Sequence, residues 1–275
     1  MTCNYSRAHS RNGEGVQVSR LTFRDPQQDV AWQRQLRDKY ADEGTPPVPH
    51  LSVKKAMVRP VSRRLAAQII LKYEWLGTMS PTSWHYGIFF GGYCAGVTCV
   101  GSGATMAGAY HHEQFQIERG EMLTLARGAC VHWAPEHTNS RLVSMTCKLA
   151  AKEIGGKLIW ATADTDAGEI GTIYQACNWV YIGISKRSRA LGTEIVSPKG
   201  RAYNDRSIGG WGKKRGLGYA AMKRDLLSAG WLLQASNPKH RYVYVLDKAD
   251  KALVDRVERM RQPYPKRESE HAAKV

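Results

Sequence analysis

The sequence predicts an α/β (α+β) fold: a mixed twisted sheet flanked by helices, with a basic C-terminal extension. Three observations predict it. Met122–Ser185 parses as strand, turn, helix, strand, short helix, strand. Ahead of it lie a helix with regular apolar spacing and two β-rich runs joined at Gly91-Gly92. Behind it the pattern loosens and positive charge accumulates. Residues 186–275 hold 21 Lys and Arg against 9 Asp and Glu, whereas residues 1–185 hold 19 against 15.

Residues 1–50 are polar and read as an N-terminal extension closed by the linker Gly44–His50, GTPPVPH. Within it, Asp29–Asp42 is compatible with a short helix that docks Trp32, Leu36 and Tyr40 on the body. The body runs over 51–250. LSVKKAMVRP reads as a strand, and Ser62 can cap a helix to about Trp75, with Leu65, Ile69, Ile70, Tyr73 and Leu76 in helical spacing. HYGIFF and YCAGVTCVG form the hairpin, and Gly101–Gly120 is a glycine-rich loop or flap. The strand LTLARGACV then meets a helix opened by Asn139 and Ser140, either of which can cap it. KLIWATAD is a strand, GTIYQACN a short helix and NWVYIG a strand. A basic insertion at about 186–230 reads as flexible Gly-, Arg- and Lys-rich loops followed by a helix at Tyr219–Ala229. Arg241–Asp247 is a strand, and 251–275 is a charged helix whose last dozen residues look disordered. Periodicity alone also allows other α/β arrangements.

The net charge is +16 and concentrates in one lobe, which points to a polyanion, most simply nucleic acid, against the alternative of a merely solvated basic surface. Lys199, Arg201, Arg206, Lys213, Lys214 and Arg215 are the cations suited to phosphate tracking. The six cysteines contain no C-x-x-C pair and sit mostly in apolar runs, so buried free thiols in a reducing compartment are expected rather than a zinc ribbon. No run of eighteen apolar residues and no signal-peptide pattern occurs, so a cytoplasmic protein without membrane association is expected.

LTLARGACVHWAPEHTNS, the Asp164-x-Asp166 pair and AGEIGTIYQACNW resemble the GNAT acyltransferases and, more narrowly, the phage Mom family of DNA-modification proteins. The likeness covers roughly Val53–Ser185 well and the basic C-terminal part weakly. It implies a transferase that places a carbamoylmethyl group on adenine N6 in double-stranded DNA and so shields phage DNA from restriction. The donor it implies is acetyl-CoA or a related acyl donor. Two departures stand out. The loop His132–Ser140 lacks the glycines of the usual GNAT pyrophosphate loop, as Mom-like proteins do, and Glu74-Trp75 stands where the Mom pattern has His-Tyr.

The resemblance gives roles to particular residues. Asp164, at a strand end where α/β folds gather ligands, would orient or deprotonate the attacking amine; its alternative is a turn or cap residue. Tyr174 would protonate the departing thiolate, or is a core aromatic. Arg127, in an otherwise apolar strand, would hold a phosphate or carboxylate near the donor, or forms a structural ion pair with Asp164. Asn139 and Ser140 would meet the donor pyrophosphate at a helix N-terminus. Glu74 and His85 flank the cleft, and Glu74 is a further catalytic candidate. A carboxylate–histidine metal set with Asp164 has no spacing to support it, so no metal is expected. Trp75, Trp84, Trp133 and Trp179 read as core, with one available to stack a flipped base.

Three functions follow. The first is a Mom-like adenine-modifying transferase. The second is a GNAT N-acyltransferase acting on another amine, such as a small molecule, a protein or aminoacyl-tRNA. The third is a non-enzymatic nucleic-acid-binding protein on a GNAT scaffold.

Overall fold

A computed structural model describes residues 32–48, 51–102, 112–185, 193–198, 202–203, 205–235 and 238–267. Cys3, most of the first fifty residues, Gly103–His111, Lys199, Arg201 and 268–275 lie outside the described residues. The chain divides into two units: a smaller one whose described part lies within Thr193–Ala235, and a larger one holding the rest of the described residues.

In the larger unit, helix α1 (Trp32–Lys39) precedes strand β1 (Met57–Pro60). The residues just ahead of β1, Val53–Lys55, form a 3-10 turn rather than the extended start that LSVKKAMVRP suggests. Helix α2 (Arg63–Tyr73) starts at Ser62, whose hydroxyl accepts from the Leu65 amide at 3.2 Å, as the sequence predicts. Strands β2 (Trp84–Phe90) and β3 (Tyr93–Ser102) form the hairpin. Then come β4 (Met122–Cys130), α3 (Thr138–Glu153), β5 (Leu158–Asp164), α4 (Thr172–Ala176) and β6 (Val180–Ile184). This is the strand–helix order that the GNAT resemblance implies.

In the smaller unit, β7 (Thr193–Val196), β8 (Ala202–Tyr203), α5 (Asp205–Lys214), α6 (Tyr219–Ser228) and β9 (Leu232–Ala235) follow. The chain then returns to the larger unit through β10 (Lys239–Val245) and α7 (Lys251–Arg259).

The larger sheet runs β1-β2-β3-β4-β5-β10-β6. Every neighbouring pair is antiparallel except β4 and β5, which are parallel. Alternation along the strands splits the core between two faces. Leu123, Ile159 and Ala161 pack in the cluster containing Val143, Cys147 and Ala150 of α3. Met122, Leu158 and Trp160 face the other way, onto Leu253 and Val257 of α7. Val97, Cys99 and Ala129 pack with Ala66, Ile69 and Ile70 of α2. Burial on both faces explains why the β5 segment is almost wholly apolar in sequence.

The segment after α7 is ordered rather than loose as far as it is described. The Gln262 amide donates to the Tyr181 carbonyl at 2.8 Å, and the Tyr264 hydroxyl donates to the Trp179 carbonyl at 2.7 Å. The strap therefore covers the edge strand β6, whose outer hydrogen-bonding groups would otherwise be open. Among the described residues, no helix is long and apolar enough to cross a membrane.

The smaller unit forms its own sheet, β8-β7-β9, on which α5 and α6 sit. Its core joins Ile195, Ile208, Met222 and Leu226 to a cluster of Tyr203, Trp211 and Trp231. The flexible basic loops expected here are therefore corrected in part: Lys213 and Lys214 belong to α5 and Arg215 to the turn that ends it.

Candidate active site

The site begins with a strand pair that comes apart. Parallel pairing of β4 with β5 covers only Met122–Thr124 and Leu158–Trp160. Beyond Thr124 and Trp160 the two strands continue without pairing to each other, which leaves a cleft at their C-terminal ends. At the point of separation the Thr124 Oγ1 is buried without a hydrogen-bond partner among the described residues.

A β-bulge then aims Arg127. Cys99 pairs with Arg127 and Val100 with Leu125, so Ala126 is an extra residue in β4. Without it, Arg127 would share the face of Leu123 and Leu125, which packs on α3. With it, Arg127 lies opposite Cys99, on the face covered by α2. There its Nε donates to the Thr78 carbonyl at 3.0 Å and approaches the Glu74 Oε2 at 3.8 Å. The expected ion pair between Arg127 and Asp164 is corrected: Arg127 meets Glu74, and Asp164 is bound by Lys239 Nζ at 2.5 Å. Lys239 stands directly opposite Asp164 in the β10–β5 ladder.

Glu74 is buried at the C-cap of α2, and its carboxylate accepts from the Leu76 amide at 3.0 Å. Burial pushes its pKa up to about 7 against the pull of Arg127, and the Asp164 charge adds to the rise. A second carboxyl, Glu169, follows Asp164 in the turn leading to α4, and its amide donates to the Asp164 carbonyl at 3.1 Å. Burial and the charges of Glu74 and Asp164 hold it well above the usual carboxylate range, while Arg267 of the C-terminal strap pulls it back. Three carboxyls are thus electrostatically coupled.

Tyr174 stands on α4, tilted against Trp179 and Tyr242 at ring distances of 5.0 and 5.2 Å. Burial, then the charge of Glu169, raises its pKa, so the phenol stays protonated at neutral pH. Its hydroxyl has no hydrogen-bond partner among the described residues. His85 is buried on β2 beside Thr82 at 3.1 Å, and burial lowers its pKa, which keeps it neutral. Trp179 is fully buried, so it belongs to the core.

The N-terminus of α3 lies just past the C-terminal end of β4. His137, with φ of 65°, is its N-cap and offers no side-chain cap, so the expectation that Asn139 or Ser140 caps the helix is corrected. Both lie in the first turn, and the Ser140 hydroxyl donates back to the His137 carbonyl at 2.9 Å. No acid occupies the first turn, and the Arg141 Nε is buried without a partner. The Thr138 and Arg141 amides are bonded to the Pro135 and His137 carbonyls, so the Asn139 and Ser140 amides, with the Arg141 Nε that has no partner among the described residues, are the groups suited to a phosphate.

The loop feeding this helix lacks glycine and is held from outside. The Arg37 guanidinium donates to the His132 and Ala134 carbonyls at 3.1 and 2.8 Å. His132 bridges the Tyr73 hydroxyl and the Gly44 carbonyl, each at 2.7 Å.

The Mom protein family model matches residues 55–266. The chain belongs to the Mom protein family. The match extends past the well-resembling stretch read from the sequence and takes in the basic C-terminal part.

Curated protein sequences give no match to this Mom-family chain. Among solved structures it is similar to a Bacillus subtilis acetyltransferase in complex with CoA, at TM-score 0.40 and 11% identity, over 70% of this chain and 99% of that one. It is similar to the ribosomal-protein-S5-alanine acetyltransferase of Vibrio fischeri, at TM-score 0.40 and 10% identity, over 70% and 94%. A spermidine N-acetyltransferase from Vibrio cholerae, in complex with CoA and spermine, matches at TM-score 0.40 and 8% identity, over 71% and 98%.

Of the predicted residues, Glu74, Arg127, Asp164 and Tyr174 fall in one electrostatic neighbourhood, and Asn139 and Ser140 at the α3 terminus. Arg206, Lys213, Lys214 and Arg215 belong to the smaller unit. Glu169, Lys239 and Arg141 were not singled out from sequence. Glu169 was within reach, five residues past a strand-end aspartate. Lys239 was not, because its tie to Asp164 spans 75 residues.

Proposed function

We propose that this Mom-family chain is a transferase that moves an acyl group from an acyl-CoA-type donor to adenine N6 in DNA. N6 bonds to the donor carbonyl carbon as the C–S bond breaks, which gives an N6-acyl adduct. The carbamoylmethyl group that the family resemblance implies, bonded through its CH2 carbon, requires a nitrogen source and a bond beyond this transfer. Such an adduct would shield the DNA from restriction. The observation that carries the reading is the opening between β4 and β5 beyond Thr124 and Trp160, with Glu74, Arg127, Asp164, Glu169 and Tyr174 coupled around it.

When bound, the donor supplies an activated carbonyl and a thiolate leaving group. Arg141 and the Asn139 and Ser140 amides suit its pyrophosphate. The edge of β4 beyond Leu125, no longer paired to β5, suits its amide groups as an added strand would.

Adenine N6 is a weak nucleophile because its lone pair is delocalised into the ring, so it needs alignment and a base. Asp164, fixed by Lys239, accepts a hydrogen bond from the amine and orients it. Glu74 and Glu169 titrate high enough to accept the released proton near neutrality. Tyr174 returns a proton to the departing sulfur. Arg127 steadies Glu74.

The test is mass spectrometry of nucleosides from plasmid DNA of cells expressing the chain, beside an Asp164→Ala control. The expected result is a heavier deoxyadenosine in the wild-type sample alone, its mass increment giving the group added. Unmodified DNA despite abundant folded protein would turn the search to other amines, with tRNA as the next pool.

A further inference from the structure

We propose that α5 and α6 form a helix–turn–helix that reads double-stranded DNA, with the outer face of α6 in the major groove and the cations at the turn on the phosphate backbone. This rests on the reading of the chain as a DNA-modifying protein and names the element that recognises the substrate.

The geometry comes first. Helix α5 ends at Lys214, four residues follow, and α6 begins at Tyr219. The α5 terminus is closed by paired bonds from Gly216 N to Lys213 O at 3.3 Å and Leu217 N to Gly212 O at 2.8 Å, with Gly216 at φ +69°. At Gly212 a Cβ would lie 2.9 Å from the Leu217 carbonyl and 3.2 Å from the Met222 Cβ. Only glycine lets the turn and α6 pass that close to α5. A short, glycine-closed turn between two packed helices fits the motif. Ile208 of α5 and Met222 and Leu226 of α6 are buried on the β8-β7-β9 sheet, so the pair is a fixed body.

The charge comes second. Helical spacing turns Ala220, Lys223, Arg224 and Leu227 away from Met222 and Leu226. Arg224 and Ala220 are exposed, and Lys223 Nζ lies over the Tyr219 ring at 5.6 Å. Lys213, Lys214 and Arg215 are exposed at the turn. Across Thr193–Ala235 there are eight Lys and Arg against three acids, Glu194, Asp205 and Asp225. The first turn of α6 carries no acid.

The partner follows from groove shape. A ten-residue helix, about 15 Å long, fits the roughly 12 Å wide major groove of B-DNA. The major groove of A-form RNA is too deep and narrow to admit it. Arg224 and Lys223 would then meet base edges, and Lys213, Lys214 and Arg215 would fix the register.

The experiment is fluorescence anisotropy of the full chain with labelled duplex DNA, duplex RNA, single-stranded DNA and tRNA over a salt series. Duplex DNA is expected to bind tightest. Lys223→Ala with Arg224→Ala should weaken it at least tenfold. Replacing Lys213, Lys214 and Arg215 by alanine should weaken all sequences alike and lower the log–log salt slope by about 3. Ala220→Glu keeps every cation and the helix, and should also weaken binding at least tenfold. Each variant is checked for wild-type circular dichroism and melting. Duplex DNA binding indifferent to Ala220→Glu and to the Lys223 and Arg224 changes overturns the proposal, as does tighter binding of tRNA or duplex RNA through the same residues. Nucleoside mass spectrometry separates the two readings. Modified DNA with α6-independent binding sinks this inference alone, whereas α6-dependent duplex binding with no modification sinks the transferase alone.

Discussion

Glu74 sets the electrostatics of the cleft because it is buried beside a single arginine and near two other carboxyls. Its pKa rises from the ordinary 4.5 to about 7, so the folded state binds the proton more tightly than the unfolded chain does. The sign follows: this carboxyl favours folding below pH 4.5, and that contribution is lost as pH rises through about 7. At about 1.4 kcal/mol per unit, the loss is on the order of 3 kcal/mol. Glu74→Gln mimics the protonated form, so thermal melts of the variant should match wild type at pH 5 and exceed it at pH 8. An unchanged pH slope would mean the carboxylate is ionised throughout. Tyr174 offers a sharper test of chemistry. Tyr174→Phe keeps the contacts with Trp179 and Tyr242 but removes the proton, so kcat should fall roughly 10²- to 10⁴-fold with donor KM unchanged. A matching rise in KM would assign Tyr174 to binding instead.

At the scale of elements, two devices replace what the sequence lacks. The loop before α3 has no glycine to shape it, and Arg37 of α1 holds its carbonyls in place. Arg37→Ala should therefore weaken donor binding several-fold, read by calorimetry with CoA, while leaving the melting of the larger sheet close to wild type. Equal CoA affinity in the variant would show that the loop holds its own shape. The second device is the strap after α7. The Gln175 Nε2 donates to the Pro265 carbonyl at 3.2 Å and to the Tyr242 hydroxyl at 3.1 Å, which ties the strap to α4 and hence to Tyr174. Tyr264→Phe removes the bond to Trp179 together with the hydroxyl's interaction with Arg261 and should cost about 1 kcal/mol in denaturant unfolding. Truncation after Met260 should cost several times that and promote association through the bared edge of β6.

At the scale of the whole molecule, the two units have unequal cores. Among the described residues, the smaller rests on Ile195, Ile208, Met222 and Leu226 with the rings of Tyr203, Trp211 and Trp231, the larger on three extensive clusters. So small a described core buries too little apolar surface for strong independent stability. Native-state hydrogen exchange on the full chain should therefore show Ile195 and Met222 amides opening at lower free energy than those of Ile159 and Val243. Uniform protection across both units would show a single cooperative body.

The sequence by itself determined the order of elements, the hairpin at Gly91-Gly92, the Ser62 cap, the strand-end position of Asp164 and the polarity of charge along the chain. These are legible because they depend on near neighbours: periodicity, turn chemistry and local composition. It also placed Arg127 as a candidate, since a charge in an apolar run is a local anomaly, whereas Tyr174 entered through the family resemblance and Glu74 through its position at the end of the first helix. Only the tertiary structure decided which groups meet. The bulge at Ala126 turned Arg127 toward Glu74 instead of Asp164, and β10, arriving after the whole smaller unit, brought Lys239 to Asp164. Cross-strand register and long-range return of the chain have no local signature, so those pairings are set by packing of the whole sheet. The same holds for the basic segment. Composition announced its charge and local pattern its second helix, α6, but α5 needed the Ile195, Ile208, Met222 and Leu226 core to form, because a short glycine-rich helix depends on burial against other elements rather than on propensity.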